Sequence, residues 1–119
     1  MTNAIPESGG PVPKPAICDL AAASRILAAQ GVVDGFGHVS MRHPAAPERY
    51  LMSRSVAPAL VTPDDIVEYD LESEPCNANG RASFLERYIH GEIYKARPDV
   101  MSVVHSHSPS VVPFGLVGV

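Results

Sequence analysis

The sequence has little cysteine, no tryptophan, no surplus of basic residues and no long apolar run. Its two cysteines, Cys18 and Cys76, lie far apart and form no C-x-x-C pair, so neither a disulfide framework nor a zinc knuckle is indicated. Reduced thiols are typical of a cytoplasmic protein, which is the location we expect. No apolar run reaches the ~20 residues that a membrane helix needs, so no membrane partner is expected.

Charge and length narrow the function classes further. Nine Lys and Arg residues against 13 Asp and Glu give a formal net charge of −4. Nucleic acid is therefore not expected as a partner, because phosphate binding needs excess positive charge. A chain of 119 residues holds one small domain at most, and 45% hydrophobic residues are enough for a globular core. Residues 1–15, with four prolines and two glycines, are interpreted as a flexible leader outside a domain over residues 16–119.

Hydrophobic spacing and turn residues predict alternating helices and strands. A hairpin is expected between the first two strands, and Thr62-Pro63 predicts a short helical turn. The predicted elements are a helix over about Ala16–Gln30 stopped by Gly31, strands His38–Arg42, Arg49–Ser53 and Ile66–Leu71, a helix from Ser83 stopped by Pro98, a strand Met101–His107 and a helix starting at Ser108.

All five histidines lie between positions 38 and 107, and the sharpest pattern among them is His105-Ser106-His107. Residues two apart on a strand point to the same face, with Cα atoms roughly 6.5–7 Å apart. Two such imidazoles can converge on one metal ion at about 2.0–2.1 Å each. The alternative is a pair of half-exposed strand histidines, and by itself the motif leaves both interpretations open.

Glu86 is the second candidate, again with two interpretations. It lies four residues before His90, and on a helix the two side chains share a face. Ser83-x-x-Glu86 also fits a capping box, in which the Glu side chain closes the helix N-terminus. Local sequence favours the cap, although a carboxylate at a helix start is also well placed to face a cation.

Two further segments could contact a ligand. The turn at Gly37 and His38 could expose backbone N–H groups to an anion, although a simple β-turn explains it equally. It is not a dinucleotide-binding motif, because no G-x-G-x-x-G precedes a helix. Arg54, between Ser53 and Ser55, could bind a carboxylate or phosphate, but it could also be a solvated surface charge.

Taken in order, these segments resemble the class II aldolase/adducin family. The resemblance covers essentially residues 16–115 and rests on LAAASRIL, GFGHVSMR, VTPDDIV, ERYIH and RPDVMSVVHSHS. It implies an α/β fold, a three-layer α/β/α arrangement with a mostly antiparallel central sheet. It also implies a divalent metal, most often Zn²⁺ with Mn²⁺, Co²⁺ or Fe²⁺ as alternatives, and a homotetramer. His105 and His107 match two metal ligands, and Glu86 matches the catalytic acid/base.

The sequence departs from the family pattern at several positions, and some of these departures indicate which substrate to expect. The family's third histidine ligand lies beyond Val119, so the sequence is interpreted as an N-terminal part of an incomplete domain, truncated at the C-terminus. His38 replaces an Asn, Phe84-Leu85 replace two serines, and Arg54-Ser55 replace a Ser-Gly anion loop. Apolar side chains cannot satisfy phosphate oxygens, so a non-phosphorylated substrate is expected. Arg54 suits a planar carboxylate.

The sequence thus predicts a metal-dependent lyase, an aldolase or a decarboxylase, that cleaves a C–C bond through an enolate-like intermediate. The GHVS and SRS segments resemble a branch of aldolases and decarboxylases of hydroxylated aromatic acids. The expected substrate is a small carboxylate-bearing molecule, and the predicted binding set is Gly37, His38, Ser53, Arg54 and Ser55. His38 would donate a hydrogen bond to substrate or hold the turn. The alternative functions are a non-catalytic adducin-like interaction module and an inactive fragment.

Overall fold

The computed structural model describes residues 5–106, which form two helices, four strands and two short 3₁₀ turns. The 3₁₀ turns are Pro58–Leu60 and Pro63–Asp65, the second at the turn predicted from Thr62-Pro63. The other elements are α1 (Lys14–Ala29), β1 (His38–Arg42), β2 (Arg49–Ser53), β3 (Ile66–Asp70), α2 (Arg87–Ala96) and β4 (Ser102–His105).

The four strands form one sheet in the order β3-β2-β1-β4, and every neighbouring pair is antiparallel. β1 and β2 form the predicted hairpin, with Ser40 opposite Met52. β4 returns along the other side of β1 and places His105 opposite His38. This last pairing is non-local, and it positions the candidate site.

One helix covers each face of the sheet. Because side chains alternate along a strand, Leu51 packs towards α1 in a cluster with Leu20 and Val39. Its neighbours Tyr50 and Met52 point to the other face and pack with Tyr94 of α2. The predicted three-layer α/β/α arrangement with an antiparallel central sheet is confirmed.

The N-terminal segment packs on the sheet from Glu7 onward. Ser8 Oγ and the Gly9 N–H both donate to the buried carboxylate of Glu68, each at 2.7 Å. Arg49 Nε donates to the Glu7 carbonyl at 2.9 Å. Residues 7–9 thus contact the sheet, because a buried carboxylate needs donors and this segment supplies them. The division into a leader over residues 1–15 and a domain over 16–119 stays a prediction.

The first helix ends as predicted and the second begins later. Gly31, at φ +72°, follows the last turn of α1 in the left-handed conformation typical of a helix stop. α2 begins at Arg87, and Glu86 lies at its N-cap without a side-chain capping bond. The capping box does not form, because the Ser83 hydroxyl instead accepts a 2.8 Å hydrogen bond from Tyr69.

Two elements predicted from the sequence lie partly or wholly outside residues 5–106. β4 is described as far as His105, so His107 and the helix predicted from Ser108 lie outside the described residues. Within residues 5–106, neither helix has the length and apolar character needed to cross a bilayer.

Candidate functional site

Three side chains from three separate elements converge at one end of the sheet. His38 begins β1, His105 ends β4, and Glu86 precedes the first turn of α2. Their ligand atoms all lie within 4.8 Å of one another. Glu86 Oε2 is 3.3 Å from His105 Nε2, and Glu86 Oε1 is 3.8 Å from His38 Nε2. The carboxylate therefore faces the two imidazoles.

The strand register explains why the histidine rings meet. His38 and His105 are directly opposite in the antiparallel pair, so both side chains lie on the α2 face. Their rings stack with centroids 4.9 Å apart and planes inclined by 21°. Because His38 is almost fully buried and Glu86 is half exposed, the cluster opens to solvent on the carboxylate side.

Gly37 permits the close approach of the strands. A Cβ at this position would lie 2.6 Å from Val33 Cβ and 3.1 Å from the carbonyl oxygen of His105. Any larger side chain would push the start of β1 away from the end of β4. Packing therefore explains this glycine, and its predicted contact with substrate stays a prediction.

A buried polar chain lies behind His38. His38 Nδ1 is 2.6 Å from His90 Nε2, and His90 Nδ1 is 2.6 Å from Ser40 Oγ. Ser40 Oγ is 2.7 Å from the Tyr94 hydroxyl. Residues 38 and 40 share a face of β1, and residues 90 and 94 share a face of α2. The two-residue spacing on β1 and the four-residue spacing on α2 thus place these four side chains in one hydrogen-bonded chain between the strand and the helix.

Burial keeps His90 and Tyr94 uncharged near neutral pH. Loss of solvent lowers the pKa of His90 to about 3, and repulsion by His38 and His105 adds to the effect. Burial also raises the pKa of Tyr94 to about 12, against opposing hydrogen bonds from Ser40 and the Val103 backbone and against the Arg42 charge. The Arg42 guanidinium lies over the Tyr94 ring, 4.8 Å from its centroid.

A pocket of about 510 Å³ opens beside Glu86. The side chains of Phe36, Val56, Phe84 and Leu85 give it apolar walls. The Phe84 ring also packs against His38, with centroids 4.7 Å apart. A flat apolar molecule with a polar edge suits such a space, because its ring can lie against the walls while its polar edge meets Glu86.

The predicted substrate-binding serines and Arg54 occupy different surroundings. Ser55 lines the pocket, whereas Ser53 is buried in β2. Arg54 Nε donates to Asp65 Oδ1 at 2.7 Å. Although burial alone would raise the pKa of the Asp65 carboxyl, hydrogen bonds from Thr62 and Arg54 hold it below its ordinary value. Arg54 is thus anchored at the end of β2 by an ion pair.

Sequence reasoning missed most of the buried chain. His90 was considered only as a neighbour of Glu86, and Ser40 and Tyr94 were not considered as site residues. The signal was present, since Ser40 follows His38 by two positions on a strand and Tyr94 follows His90 by four on a helix. Which strand faced which helix, however, could not be obtained from either spacing.

Comparison with known proteins identifies the family of this chain. Residues 18–118 match the Class II Aldolase and Adducin N-terminal domain. The chain belongs to the class II aldolase/adducin family. This confirms the resemblance seen in the sequence, and the family is generally dependent on a divalent metal.

Class II aldolase/adducin relatives with named activities include two decarboxylases and an aldolase. Decarboxylase tropJ of Talaromyces stipitatus is 43% identical over 96 residues, covering 79% of this chain and 36% of the relative. The 3,4-dihydroxyphthalate decarboxylase of Arthrobacter keyseri is 35% identical over 109 residues, which cover 83% of this chain and 43% of that relative. The structure of L-fuculose 1-phosphate aldolase from Glaciozyma antarctica matches with a TM-score of 0.75 and 28% identity. The match covers 89% of this chain and 45% of the aldolase. The chain therefore spans less than half the length of each.

Proposed function

We propose that this chain carries the site of a metal-dependent decarboxylase for a non-phosphorylated, hydroxylated aromatic acid. The observation that carries the proposal is the convergence of His38, Glu86 and His105 beside an apolar pocket. Two decarboxylases among the relatives support the reaction class. The apolar Phe84 and Leu85 beside Glu86 support an aromatic rather than a phosphorylated substrate, since these two side chains offer a phosphate dianion no hydrogen-bond donor.

The donor set fits a divalent transition metal. Imidazole nitrogen and carboxylate oxygen are ligands that Zn²⁺, Mn²⁺, Co²⁺ and Fe²⁺ accept. We assign His105 to metal binding and add His107 from the H-x-H spacing, and we keep Glu86 as the acid/base beside them. A metal ion held there supplies a Lewis acid that stabilises negative charge developing on the substrate.

The protein's own groups account for the remaining steps. The apolar walls hold the aromatic ring and exclude water from its face, which strengthens polar interactions at its edge. Glu86 holds the proton that replaces the departing carboxyl group on the ring carbon. Because its side chain is 47% exposed, Glu86 can regain that proton from solvent. His38 donates a hydrogen bond to a substrate oxygen.

Arg54 retains its proposed role as the carboxylate-binding residue. A guanidinium has five N–H donors, and within the described residues Asp65 takes the one on Nε. The terminal nitrogens can then bind a planar carboxylate with two parallel hydrogen bonds. The ion pair with Asp65 would hold the guanidinium in place for this contact.

Metal titration tests the ligand assignment. Calorimetric titration of Zn²⁺ into the 119-residue chain should show binding that weakens at least 100-fold in His105→Ala/His107→Ala. His43→Gln is the matched control, because His43 hydrogen-bonds Gly10 away from the site. Equal affinity in the double variant would overturn the assignment.

Turnover tests the reaction class and the role of Glu86. With Zn²⁺ or Mn²⁺, 3,4-dihydroxyphthalate should release CO₂, and Glu86→Gln should lower kcat by about 10²–10⁴-fold. Glu92→Gln, on the exposed face of the same helix, should retain activity. Aldehyde release from L-fuculose 1-phosphate without CO₂ release would favour an aldolase instead, as one structural neighbour suggests. Absence of metal binding and of both products would favour a non-catalytic module.

Two family-based expectations belong to this proposal as well. A homotetramer and a cytoplasmic location remain predictions for this chain.

A further inference from the structure

We propose that Arg87 and Ser73 are positioning residues that hold Glu86 opposite His105. Arg87 is the first residue of α2 and directly follows Glu86, and Ser73 lies in the turn after β3. Neither side chain needs to touch the substrate. Their effect on the reaction rests on the proposed function of Glu86, whereas the contact between the turn and the helix rests only on the described residues.

The start of α2 is not fixed by the usual cap. Glu86 lies at the N-cap without a side-chain capping bond, and its carboxylate is directed at the two imidazoles of the site instead. Helix ends fray readily, because their terminal backbone groups have no partners within the helix. A catalytic group placed there therefore needs other contacts that fix the first turn.

Arg87 fixes this turn through its side chain. Its Nε donates to the Ser73 carbonyl at 2.8 Å, and its Nη1 donates to the Phe84 carbonyl at 3.1 Å. Its Nη2 donates to the Tyr88 hydroxyl at 2.9 Å, and the guanidinium lies over the Tyr88 ring, 4.5 Å from its centroid. Because all three nitrogens donate to protein oxygens, we assign Arg87 to positioning and not to substrate binding.

Ser73 completes the connection from the side of the sheet. Its hydroxyl accepts a 2.8 Å hydrogen bond from the Tyr50 hydroxyl and donates to the Arg87 carbonyl at 3.2 Å. Ser73 is 1% exposed, and its φ of +64° is a left-handed conformation that few residues other than glycine adopt. Such a conformation indicates that the surrounding contacts impose it.

Gly91 lets the helix lie directly against this turn. It is one helical turn into α2, and a Cβ there would overlap Ser73 Oγ and lie 2.7 Å from a backbone oxygen of the same turn. The turn after β3 thus contacts two successive turns of the helix. Because β3 and β4 belong to one sheet, this contact fixes Glu86 relative to His105.

Two features of the candidate site depend on the connection. Glu86 is one residue from Arg87, so a shift of the first turn moves its carboxylate directly. Phe84, whose carbonyl accepts from Arg87, is a wall of the pocket and packs against the His38 ring. A misplacement of about 1 Å in a reacting group can lower turnover about 10²-fold. Loosening the connection should therefore lower kcat more than it changes KM.

Steady-state kinetics with Zn²⁺ and 3,4-dihydroxyphthalate test this consequence. Arg87→Lys keeps the positive charge, but an ammonium group does not bridge two carbonyls as the planar guanidinium does. We expect kcat to fall about 10–100-fold while KM changes by less than about 5-fold. Arg97→Lys is the matched control, because Arg97 pairs with Asp99 at the opposite end of α2. Equal kcat in the two variants would overturn the positioning role.

Hydrogen exchange on the metal-free chain tests the contact without turnover. The amides of residues 87 and 89 donate at 3.3 and 3.1 Å at the start of α2, and the amide of residue 97 donates at 2.9 Å at its end. Ser73→Gly removes the hydroxyl and keeps a residue that adopts positive φ readily. In this variant and in Arg87→Lys, the first two amides should exchange at least about 5-fold faster, with residue 97 unchanged. Unchanged exchange, or equal acceleration at residue 97, would overturn the proposal.

The two measurements separate this proposal from the function on which it draws. If the unaltered chain with Zn²⁺ releases no CO₂, the proposed decarboxylase fails, and the exchange rates still decide whether Arg87 and Ser73 fix the start of α2. If the unaltered chain is active and kcat does not depend on Arg87, the proposed function stands and the positioning role is overturned.

Discussion

The substitution Gly37→Ala should both destabilise the protein and open the candidate site. The added Cβ would lie 2.6 Å from Val33 Cβ and 2.9 Å from Val33 Cγ1, which is closer than such atoms approach in proteins. It would also lie 3.1 Å from the backbone oxygen of His105. Overpacking of this kind costs about 1–3 kcal/mol. For a domain of this size, each kcal/mol lowers the Tm by roughly 4–8 °C.

Circular dichroism at 222 nm measures the loss of stability, and calorimetry measures Zn²⁺ binding to the same samples. Gly35→Ala is the matched control, because a Cβ there would meet nothing within 4 Å. We expect the Gly37 variant to have a Tm lower by about 5–20 °C and weaker metal binding, since β1 must move away from His105. If both variants melt together and bind zinc equally well, Gly37 does not control the approach of the two strands.

Three further predictions address the buried chain, the pocket and the N-terminal segment. Burial lowers the folded pKa of His90 to about 3, whereas the unfolded side chain binds a proton near 6.5. The free energy of unfolding should therefore fall by up to about 1.4 kcal/mol per unit as the pH drops from 6.5 towards 3; an equally steep fall in His90→Gln would contradict this. Leu85→Ser should change stability by less than about 0.5 kcal/mol, since the side chain is 86% exposed. It should raise KM for an aromatic acid by about 5-fold, and an unchanged KM would place the substrate elsewhere. Removing residues 1–12 should cost about 1–3 kcal/mol in urea unfolding, because Glu68 loses two hydrogen-bond donors; an unchanged midpoint would show that these bonds contribute nothing.

The elements themselves were largely predictable from local sequence. Alternation predicted β1 and β2 with their observed bounds, and Gly31 marked the end of α1. The start of α2 was predicted wrongly. Ser83 has the spacing of a cap, but a tyrosine of β3 donates to its hydroxyl, and that partner is distant in sequence.

What the sequence by itself determined was the set of local elements, the family and the residue types that could hold a metal. Spacing fixes which side chains share a face of one element, because the periods of helix and strand are geometric constants. Only the tertiary structure decided that β4 lies beside β1, which brings His105 onto His38, and that α2 covers the same face. The reason is physical: strand order and helix placement minimise the exposed apolar surface of the whole chain, and no local segment contains that information.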